Sequence, residues 1–290
     1  MENIIYEEAT LADYGFKEHK KLKLVWKIIR KIIITLTVFC LYLPIIIIAI
    51  QSVNTVSDAS SFQGFTFYWY AHMFDNRSLA NSIRNTFLIS ISATLASTIL
   101  GTLIAIGINY LPPKIRQRIL LLNNIPLLNA DIVTGVSLML LFSLLLPIFP
   151  YLFGFSTLFL AYLFFTLPYI ILSVLPKFKE IDPNLMDAAL DLGLKPMPAL
   201  RKVLIPALKS GIFSGAILAF TISFEDFVVS YFTTGNGFDT VSIWLWSSKG
   251  KSSLTPAVYA FNTIFVFVAI MIVIVYQLIK GRKKHDKKNI

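Results

Sequence analysis

Two adjacent acidic residues stand inside a stretch that is otherwise apolar and long enough to cross a membrane. Glu225 and Asp226 lie within residues 210–232, SGIFSGAILAFTISFEDFVVSYF. A charged side chain at the centre of a bilayer costs on the order of 3 kcal/mol, so such residues usually face a cavity or a partner of opposite charge. No Lys or Arg follows them within one or two helical turns. The pattern therefore favours a site for cations.

Aromatic rings next to these acids strengthen that interpretation. Phe227 and Tyr231 follow the pair, and the face of an aromatic ring attracts an ammonium group by about 0.5 to 2 kcal/mol. In one continuous helix Asp226 and Ser230 share a face, whereas Glu225 points about 100° away. Asp226 is therefore the first candidate for contact with a cation. The alternative is that the acids lie near the outer interface, where water solvates them or a second subunit pairs with them.

A third acid, Asp131, stands at the start of another apolar stretch, IVTGVSL. It can contact the same cation, or its side chain can cap the helix that follows, since Asp is a preferred N-cap residue. His72 has no second His or Cys nearby, and Cys40 is the one cysteine of the chain. We therefore expect neither a metal site nor an intrachain disulfide.

The composition indicates which elements must position these residues. Hydrophobic residues make up 56% of the 290-residue chain and charged residues only 14%, whereas soluble domains contain about 25% charged residues. A helix needs about 20 mostly apolar residues to cross a bilayer. The sequence thus predicts an all-α polytopic membrane protein, and the apolar region 119–130 either extends the third span or lies along the interface. Spans one to six are expected at 32–52, 86–110, 128–148, 151–175, 210–232 and 257–279.

The basic residues predict the orientation of these spans. All but four of them fall on the same side as the N-terminus, the exceptions being Arg77, Arg84, Lys249 and Lys251. Cytoplasmic loops are rich in Lys and Arg, so both termini are predicted to be cytoplasmic. The net charge of +10 then reflects topology, and no nucleic-acid partner is expected. The predicted parts are a cytoplasmic segment 1–30, a six-helix transmembrane domain 31–280 and a basic cytoplasmic tail 281–290.

One predicted cytoplasmic loop, about 177–209, carries a short helix with a defined start and stop. Asp182 can cap its N-terminus and Pro183 suits its first turn. Gly193 suits the residue just past its end, where a positive φ is required. The small side chains at 188–189 would let such a helix seat in a groove of a partner protein. The alternative is a solvated helix that contacts nothing.

The spacing within this loop resembles the cytoplasmic signature of ATP-binding-cassette importer permeases. That signature is Glu-Ala-Ala, three residues, Gly, nine residues and Ile-x-Leu-Pro. Here Asp187-Ala188-Ala189, Gly193 and Val203-Leu204-Ile205-Pro206 fall in the same register. Asp replaces Glu, and Val and Ile replace Ile and Leu. The resemblance implies a type I importer permease fold in which this loop, called the coupling loop below, docks onto an ATPase subunit.

The likeness covers about residues 62–235. Asn85-Thr86 and the later Gly101 are similar to the start and middle of the second span in these permeases. The segments DIVTGVSLMLLF, 131–142, and SFEDFVVSYFTTG, 223–235, are similar to the second permease subunit of spermidine/putrescine importers. The resemblance therefore implies polyamine import. The residues it places along the substrate pathway are Asp226, Glu225, Tyr231, Phe227 and Asp131.

Such a subunit would not be an enzyme. The chain contains no GxxxxGK(S/T) phosphate-binding motif, so ATP and magnesium are expected on separate ATPase subunits and no cofactor on this chain. Further expected partners are a second, homologous permease, an external substrate-binding protein and the lipid of a bacterial inner membrane. A permease of the same superfamily for iron or a phosphonate, and a proton-driven carrier, are the alternatives.

Overall fold

The computed structural model describes residues 2–55, 62–235, 237–249, 257–268 and 270–271 of the chain. These residues divide into two compact units, one within Met1–Met73 and Ser253–Ile290 and the other within Phe74–Ser252. In the described part every regular element is a helix, and one isolated β-bridge joins Asn54 to Phe65. The all-α prediction is therefore confirmed. The predicted tail 281–290 lies outside the described residues.

The first unit begins with one long helix, α1, which runs over Glu2–Gln51. Its part Val25–Gln51 is apolar and long enough to cross a membrane, in agreement with predicted span one. The segment after it contains a short helix, α2, at Tyr68–His72. Trp69 Nε1 donates a hydrogen bond to the carbonyl oxygen of Asn54 at 2.8 Å, which ties α2 to the end of α1.

The second unit is a succession of helices that bend at short links. They are α3, Arg77–Asn109; α4, Pro113–Leu128; α5, Asp131–Leu145; α6, Phe155–Val174; α7, Leu185–Asp191; α8, Pro196–Ala199; α9, Ile205–Glu225; α10, Val228–Thr233; and α11, Val241–Lys249. A 3₁₀ turn, Leu175–Glu180, extends α6. A π-helical turn, Leu200–Leu204, joins α8 to α9, so that Pro196–Glu225 is one continuous rod.

Four of the described helices are long and apolar enough to cross a membrane: Val25–Gln51, Arg77–Asn109, Phe155–Glu180 and Pro196–Glu225. They correspond to predicted spans one, two, four and five. Predicted span three is a bent pair, because the extended Asn129-Ala130 link turns α4 and α5 by 102°. Predicted span six is described mainly as α12, Ala257–Val268, and most of its remainder falls outside the described residues.

The core of the second unit lies where α3, α6 and α9 pack together. Ala105, Ile170 and Leu208 are 0% exposed there, one from each helix. The Ser97 and Thr166 hydroxyls, 2.5 Å apart, add a hydrogen bond between α3 and α6. Since lipid is as apolar as these side chains, close packing and such hydrogen bonds are what hold helices together in a membrane.

Four glycines are predicted at points of close helix packing, because small residues let backbones approach: Gly101, Gly107, Gly211 and Gly215. A methyl group on Gly101 would lie 2.7 Å from the Ile170 side chain, and one on Gly211 would lie 2.8 Å from Ser173 O. One on Gly215 would lie 3.2 Å from Ile170 Cα. These three predictions are confirmed, whereas the prediction for Gly107 is wrong, since no described atom lies near its missing side chain.

Candidate functional site

Predicted span five is interrupted at its two acids. Helix α9 ends at Glu225, Asp226 has an extended backbone with φ −61° and ψ 131°, and α10 begins at Val228. The Asp226 carboxylate accepts hydrogen bonds from Val229 N at 3.2 Å and from Ser230 N at 2.7 Å. These amides belong to the first turn of α10, where a helix offers them no acceptor. Asp226 therefore caps the second half of the span.

Two hydroxyl groups hold this carboxylate in place. Ser230 Oγ donates to Asp226 Oδ2 at 2.7 Å, and the Tyr162 hydroxyl lies 2.6 Å from Ser230 Oγ. Because Ser230 gives its one proton to the carboxylate, Tyr162 donates to Ser230. Both residues are buried, at 1% and 0% exposure. Hydrogen bonds to a charged group are about twice as strong as those between neutral groups. The two hydrogen bonds, from Tyr162 to Ser230 and from Ser230 to Asp226, therefore join α6 firmly to α10.

The interruption changes the roles expected of the acidic pair. Asp226 and Ser230 do not share a face of one continuous helix, but bond directly across the break. Glu225 is exposed, and it has no hydrogen bond or ion pair with any residue that the structure describes. It is the last residue of α9, at the negative end of the helix dipole. A carboxylate there is destabilised unless a cation neutralises it.

Asp131 is the first residue of α5 and is exposed. The N-cap of α5 is Ala130, and no side chain caps this helix, so the N-cap interpretation of Asp131 is wrong. Helix α5 packs against α10, the helix that Asp226 caps. Gly135 allows this approach of α5 to α10, since a methyl group on it would lie 3.0 Å from the Phe232 ring.

A cluster of aromatic rings adjoins these acids. The Phe227 ring centroid lies 5.6 Å from that of Tyr231 and 5.4 Å from that of Trp246. Tyr231 and Trp246 are 51% and 58% exposed, so their faces are available to a ligand. The sequence predicts Phe227 and Tyr231 for this site but does not predict Trp246. No local pattern could place Trp246 here, because α11 reaches the cluster by tertiary packing.

The Asn85-Thr86 pair positions α11. Asn85 Nδ2 donates to the carbonyl oxygen of Asp239 at 3.2 Å, and Val241 N donates to Thr86 Oγ1 at 2.9 Å. These bonds hold the first turn of α11 against α3. The pair resembles a motif of the second span, and its role in this structure is to orient the helix that carries Trp246.

The coupling loop contains the predicted short helix with the predicted stop. Gly193 has a φ of +84°. Gly193 N donates to Leu190 O at 2.9 Å, and Leu194 N donates to Ala189 O at 3.2 Å. This pair of bonds is the Schellman motif, which closes a helix with a residue in the left-handed conformation. At the other end the predicted start is wrong, because α7 begins at Leu185 with Asn184 as its N-cap and no side chain capping it. Asp182 Oδ1 instead accepts from Asn184 N at 2.9 Å in the preceding turn.

The two alanines of the coupling loop face opposite ways. Ala188 is exposed, whereas Ala189 is only 5% exposed and packs onto the rest of the second unit. Asp187, Gly193 and Pro206 are also exposed. Leu192 is 86% exposed, an apolar side chain at the end of α7 that the signature does not mark. Ala188 and Leu192 are four residues apart, so they lie on one face of the helix.

A sequence model of the family described as "Binding-protein-dependent transport system inner membrane component" matches residues 97–285. This chain belongs to that family. The spermidine/putrescine transport system permease protein PotC of Haemophilus influenzae is 32% identical to the permease over 245 residues, covering 84% of this chain and 93% of that protein. PotC of Escherichia coli K12 is 30% identical over 243 residues, covering 84% and 90%. The putrescine transport system permease protein PotI of E. coli K12 is 28% identical over 240 residues, covering 82% and 85%.

A solved structure has the same fold as the permease. It is the crystal structure of a bacterial ABC transporter involved in the import of the acidic polysaccharide alginate, with a TM-score of 0.61. The likeness covers 89% of the permease and 96% of that chain at 18% sequence identity. At this identity the likeness concerns the fold alone, and it confirms the predicted type I importer permease fold. The side of the membrane on which the termini lie stays a prediction.

The permease thus carries its two candidate sites at opposite ends of one rod. Pro196–Glu225 contains 30 residues, which corresponds to about 45 Å at 1.5 Å per residue. Helix α7 of the coupling loop precedes this rod, and the acidic site lies at the far end of the rod. Within the described residues no group of three or more His, Cys, Asp or Glu could hold a metal ion. The acids and rings of the far end suit an organic cation instead.

Proposed function

We propose that this permease is one of two permease subunits in an ATP-driven importer of polyamines, spermidine or putrescine. The observation that carries the proposal is the exposed carboxylate of Glu225, placed beside Asp226 at the break in a transmembrane rod. The names of the relatives point to the same substrates, since two of them are spermidine/putrescine permeases and one is a putrescine permease.

A polyamine matches the chemistry of this region. It is an extended cation in which methylene spacers separate ammonium groups. The exposed carboxylates of Glu225 and Asp131 offer two anions, and the cluster of Phe227, Tyr231 and Trp246 offers ring faces for the ammonium groups and spacers. Asp226 has a different role in this proposal: its carboxylate is engaged by α10, and its negative charge adds to the field that the substrate meets.

The partners follow from the same proposal. Two ATPase subunits dock on the coupling loops of this chain and of a sister permease, through Asp187, Ala188, Ala189 and Gly193, with Pro206 marking the start of span five. ATP and magnesium bind to those subunits, and no cofactor binds to this chain. An external binding protein delivers the polyamine. Both termini and the coupling loop lie in the cytoplasm of a bacterial cell whose inner membrane contains the permease.

The rod can transmit movement from the ATPase subunits to the acidic site. Ala189 and the Schellman closure hold α7 against the second unit, and the rod Pro196–Glu225 leads directly from this loop to the acidic site. When ATP-driven closure of the ATPase subunits moves α7, the rod carries that movement to Glu225. The Glu225 carboxylate is then no longer accessible from outside and becomes accessible from inside, and the polyamine is released into the cytoplasm.

Uptake by the complete reconstituted transporter tests this proposal. We expect Glu225→Gln to lower uptake of labelled spermidine about tenfold or more, because a hydrogen-bonded charge contact contributes about 1.5 to 3 kcal/mol. Asp75→Asn is the matched control, since that carboxylate is exposed and lies outside both the acidic site and the coupling loop. The ATPase subunits should co-purify with both variants. Unchanged uptake by the Glu225→Gln transporter would remove this carboxylate from the pathway.

Competition between substrates tests whether the substrate is a polyamine, iron or a phosphonate. The energy source of uptake tests whether the protein is an ATP-driven importer or a proton-driven carrier. Unlabelled putrescine should reduce spermidine uptake, whereas a ferric chelate or a phosphonate should leave it unchanged. Depletion of ATP inside the vesicles should stop uptake, and collapse of the proton gradient should not. Competition by iron or a phosphonate would indicate another substrate class, and dependence on the proton gradient would indicate a carrier of another kind.

A further inference from the structure

A groove runs along the outside of the second unit between α3 and the rod. Its volume is 390 Å³. Ile99 and Leu103 of α3 form one wall, and Ile205 and Ile212 of α9 form the other. Arg201, in the π-helical turn that joins α8 to α9, also lines it. None of the docking residues proposed above lines this groove.

The lining changes in character along the rod. Arg201 is near the start of the apolar rod Pro196–Glu225, and Ile212 is eleven residues further on, about 16 Å along the helix axis. The groove therefore has a cation near the start of the rod and apolar walls farther along the rod. This is the distribution of charge and apolar surface that complements a lipid with an anionic headgroup.

Among the described residues, no anion pairs with the guanidinium of Arg201. Arg201 is exposed, and its side chain makes no ion pair or hydrogen bond with any residue that the structure describes. A cation at the edge of the hydrocarbon is costly unless it reaches water or a negative partner. The hydroxyls of Thr98 and Thr102, which also line the groove, have no hydrogen-bond partner among the described residues either.

We propose that this groove binds an anionic phospholipid of the cytoplasmic leaflet. The phosphate pairs with Arg201, and one acyl chain lies against Ile99, Leu103, Ile205 and Ile212. Basic pockets between transmembrane helices on the cytoplasmic side are a known setting for anionic headgroups. The proposal rests on the proposed orientation, in which the coupling loop is cytoplasmic, but not on the identity of the transported substrate.

Such a lipid would affect coupling between the two candidate sites. It would join α3 to the segment that links α7 with α9, which is the start of the rod. Binding there stabilises one arrangement of this segment, so the rate of transport-coupled ATP hydrolysis should depend on the anionic lipid content of the membrane. An alternative occupant is a helix of the sister permease, and the experiment distinguishes the two.

Lipid retention by the purified complete complex tests the proposal without substrate. After delipidation, native mass spectrometry would count phosphatidylglycerol and phosphatidylcholine of equal chain length bound to the wild type, to Arg201→Gln and to Lys202→Gln. Lys202 is the matched control, because it is exposed and adjacent but does not line the groove. We expect Arg201→Gln to weaken phosphatidylglycerol binding about tenfold, the loss of one charged contact, and Lys202→Gln to behave as the wild type.

The outcomes that overturn the proposal are distinct. Equal retention of phosphatidylglycerol by the two variants removes Arg201 from lipid binding. Equal binding of both lipids to the wild-type complex removes the anionic headgroup and needs no variant to fold. Loss of the sister permease from the Arg201→Gln complex, with lipid retention unchanged, identifies the groove as a protein contact. None of these results depends on spermidine uptake, so failure of the substrate proposal is recognised separately.

Discussion

The coupling loop and the break in span five both interrupt a helical segment, but different groups fix the two interruptions. In the coupling loop the backbone does so, because Gly193 takes a φ of +84° and its Schellman bonds close α7. In span five a side chain does so, because the Asp226 carboxylate accepts the amides of α10. A backbone stop works in water, whereas a carboxylate inside an apolar span needs the hydroxyls of Ser230 and Tyr162 around it.

This difference shows how each region can tolerate change. The stop at Gly193 depends on one residue, and open space surrounds its missing side chain in the described structure. The stop at Asp226 depends on a network that joins α10 to α6, so its loss should reach further. Substitutions at Asp226 should therefore mainly lower the stability of the complex. Substitutions at Gly193 should have smaller effects and should mainly impair coupling to ATP hydrolysis.

The largest effect is expected at Asp226. Asp226→Ala removes the acceptor of two backbone amides and of the Ser230 hydroxyl. Each buried group left without a partner costs about 1 to 3 kcal/mol, so the complex should lose on the order of 3 kcal/mol of stability. Asp226→Asn keeps an acceptor and should unfold closer to the wild type. Thermal unfolding of the purified complex measures this, and equal, small shifts for Ala and Asn would contradict the capping role.

An intermediate effect is expected at Ala188. The side chain is exposed on the face of α7 that also carries Leu192. Ala188→Trp should reduce co-purification of the ATPase subunits and transport about tenfold or more, because a bulky group on a docking face forces the partner away. Ala188→Ser, a small replacement, is the control. The thermal stability of the permease itself should change little. Normal assembly of the Trp variant would show that this face does not dock.

The smallest effect is expected at Gly193. Gly193→Ala places a side chain at a positive φ, which costs about 1 to 2 kcal/mol, and no described atom lies close enough to add a clash. Transport-coupled ATP hydrolysis should fall by about fivefold, the factor that corresponds to the lower end of this cost. Gly193→Asn should be milder, since Asn adopts this conformation more readily than Ala. Full activity of Gly193→Ala would show that the closure of α7 does not limit coupling.

The features read correctly from the sequence are those that local chemistry controls. The long apolar stretches predicted the helices that could cross a membrane, because the length of a helix and the thickness of a bilayer are fixed quantities. The spacing of Gly193 after Ala188 and Ala189 predicted both the helix stop and the family to which the chain belongs. Each of these inferences used residues within one segment of the chain.

The features that the sequence could not supply depend on segments that meet only after folding. The sequence places Asp226 on one continuous helix as the first candidate for contact with a cation, whereas in the fold its carboxylate caps α10 and bonds to Ser230. By sequence Asp131 is either a helix cap or a contact to the cation, whereas in the fold Ala130 is the N-cap and α5 packs on α10 at Gly135. Trp246 joins Phe227 only because Asn85 and Thr86 hold α11 in place. Hydrophobic length and turn chemistry act between neighbours in the chain, whereas a binding site is assembled from side chains that sequence distance keeps apart.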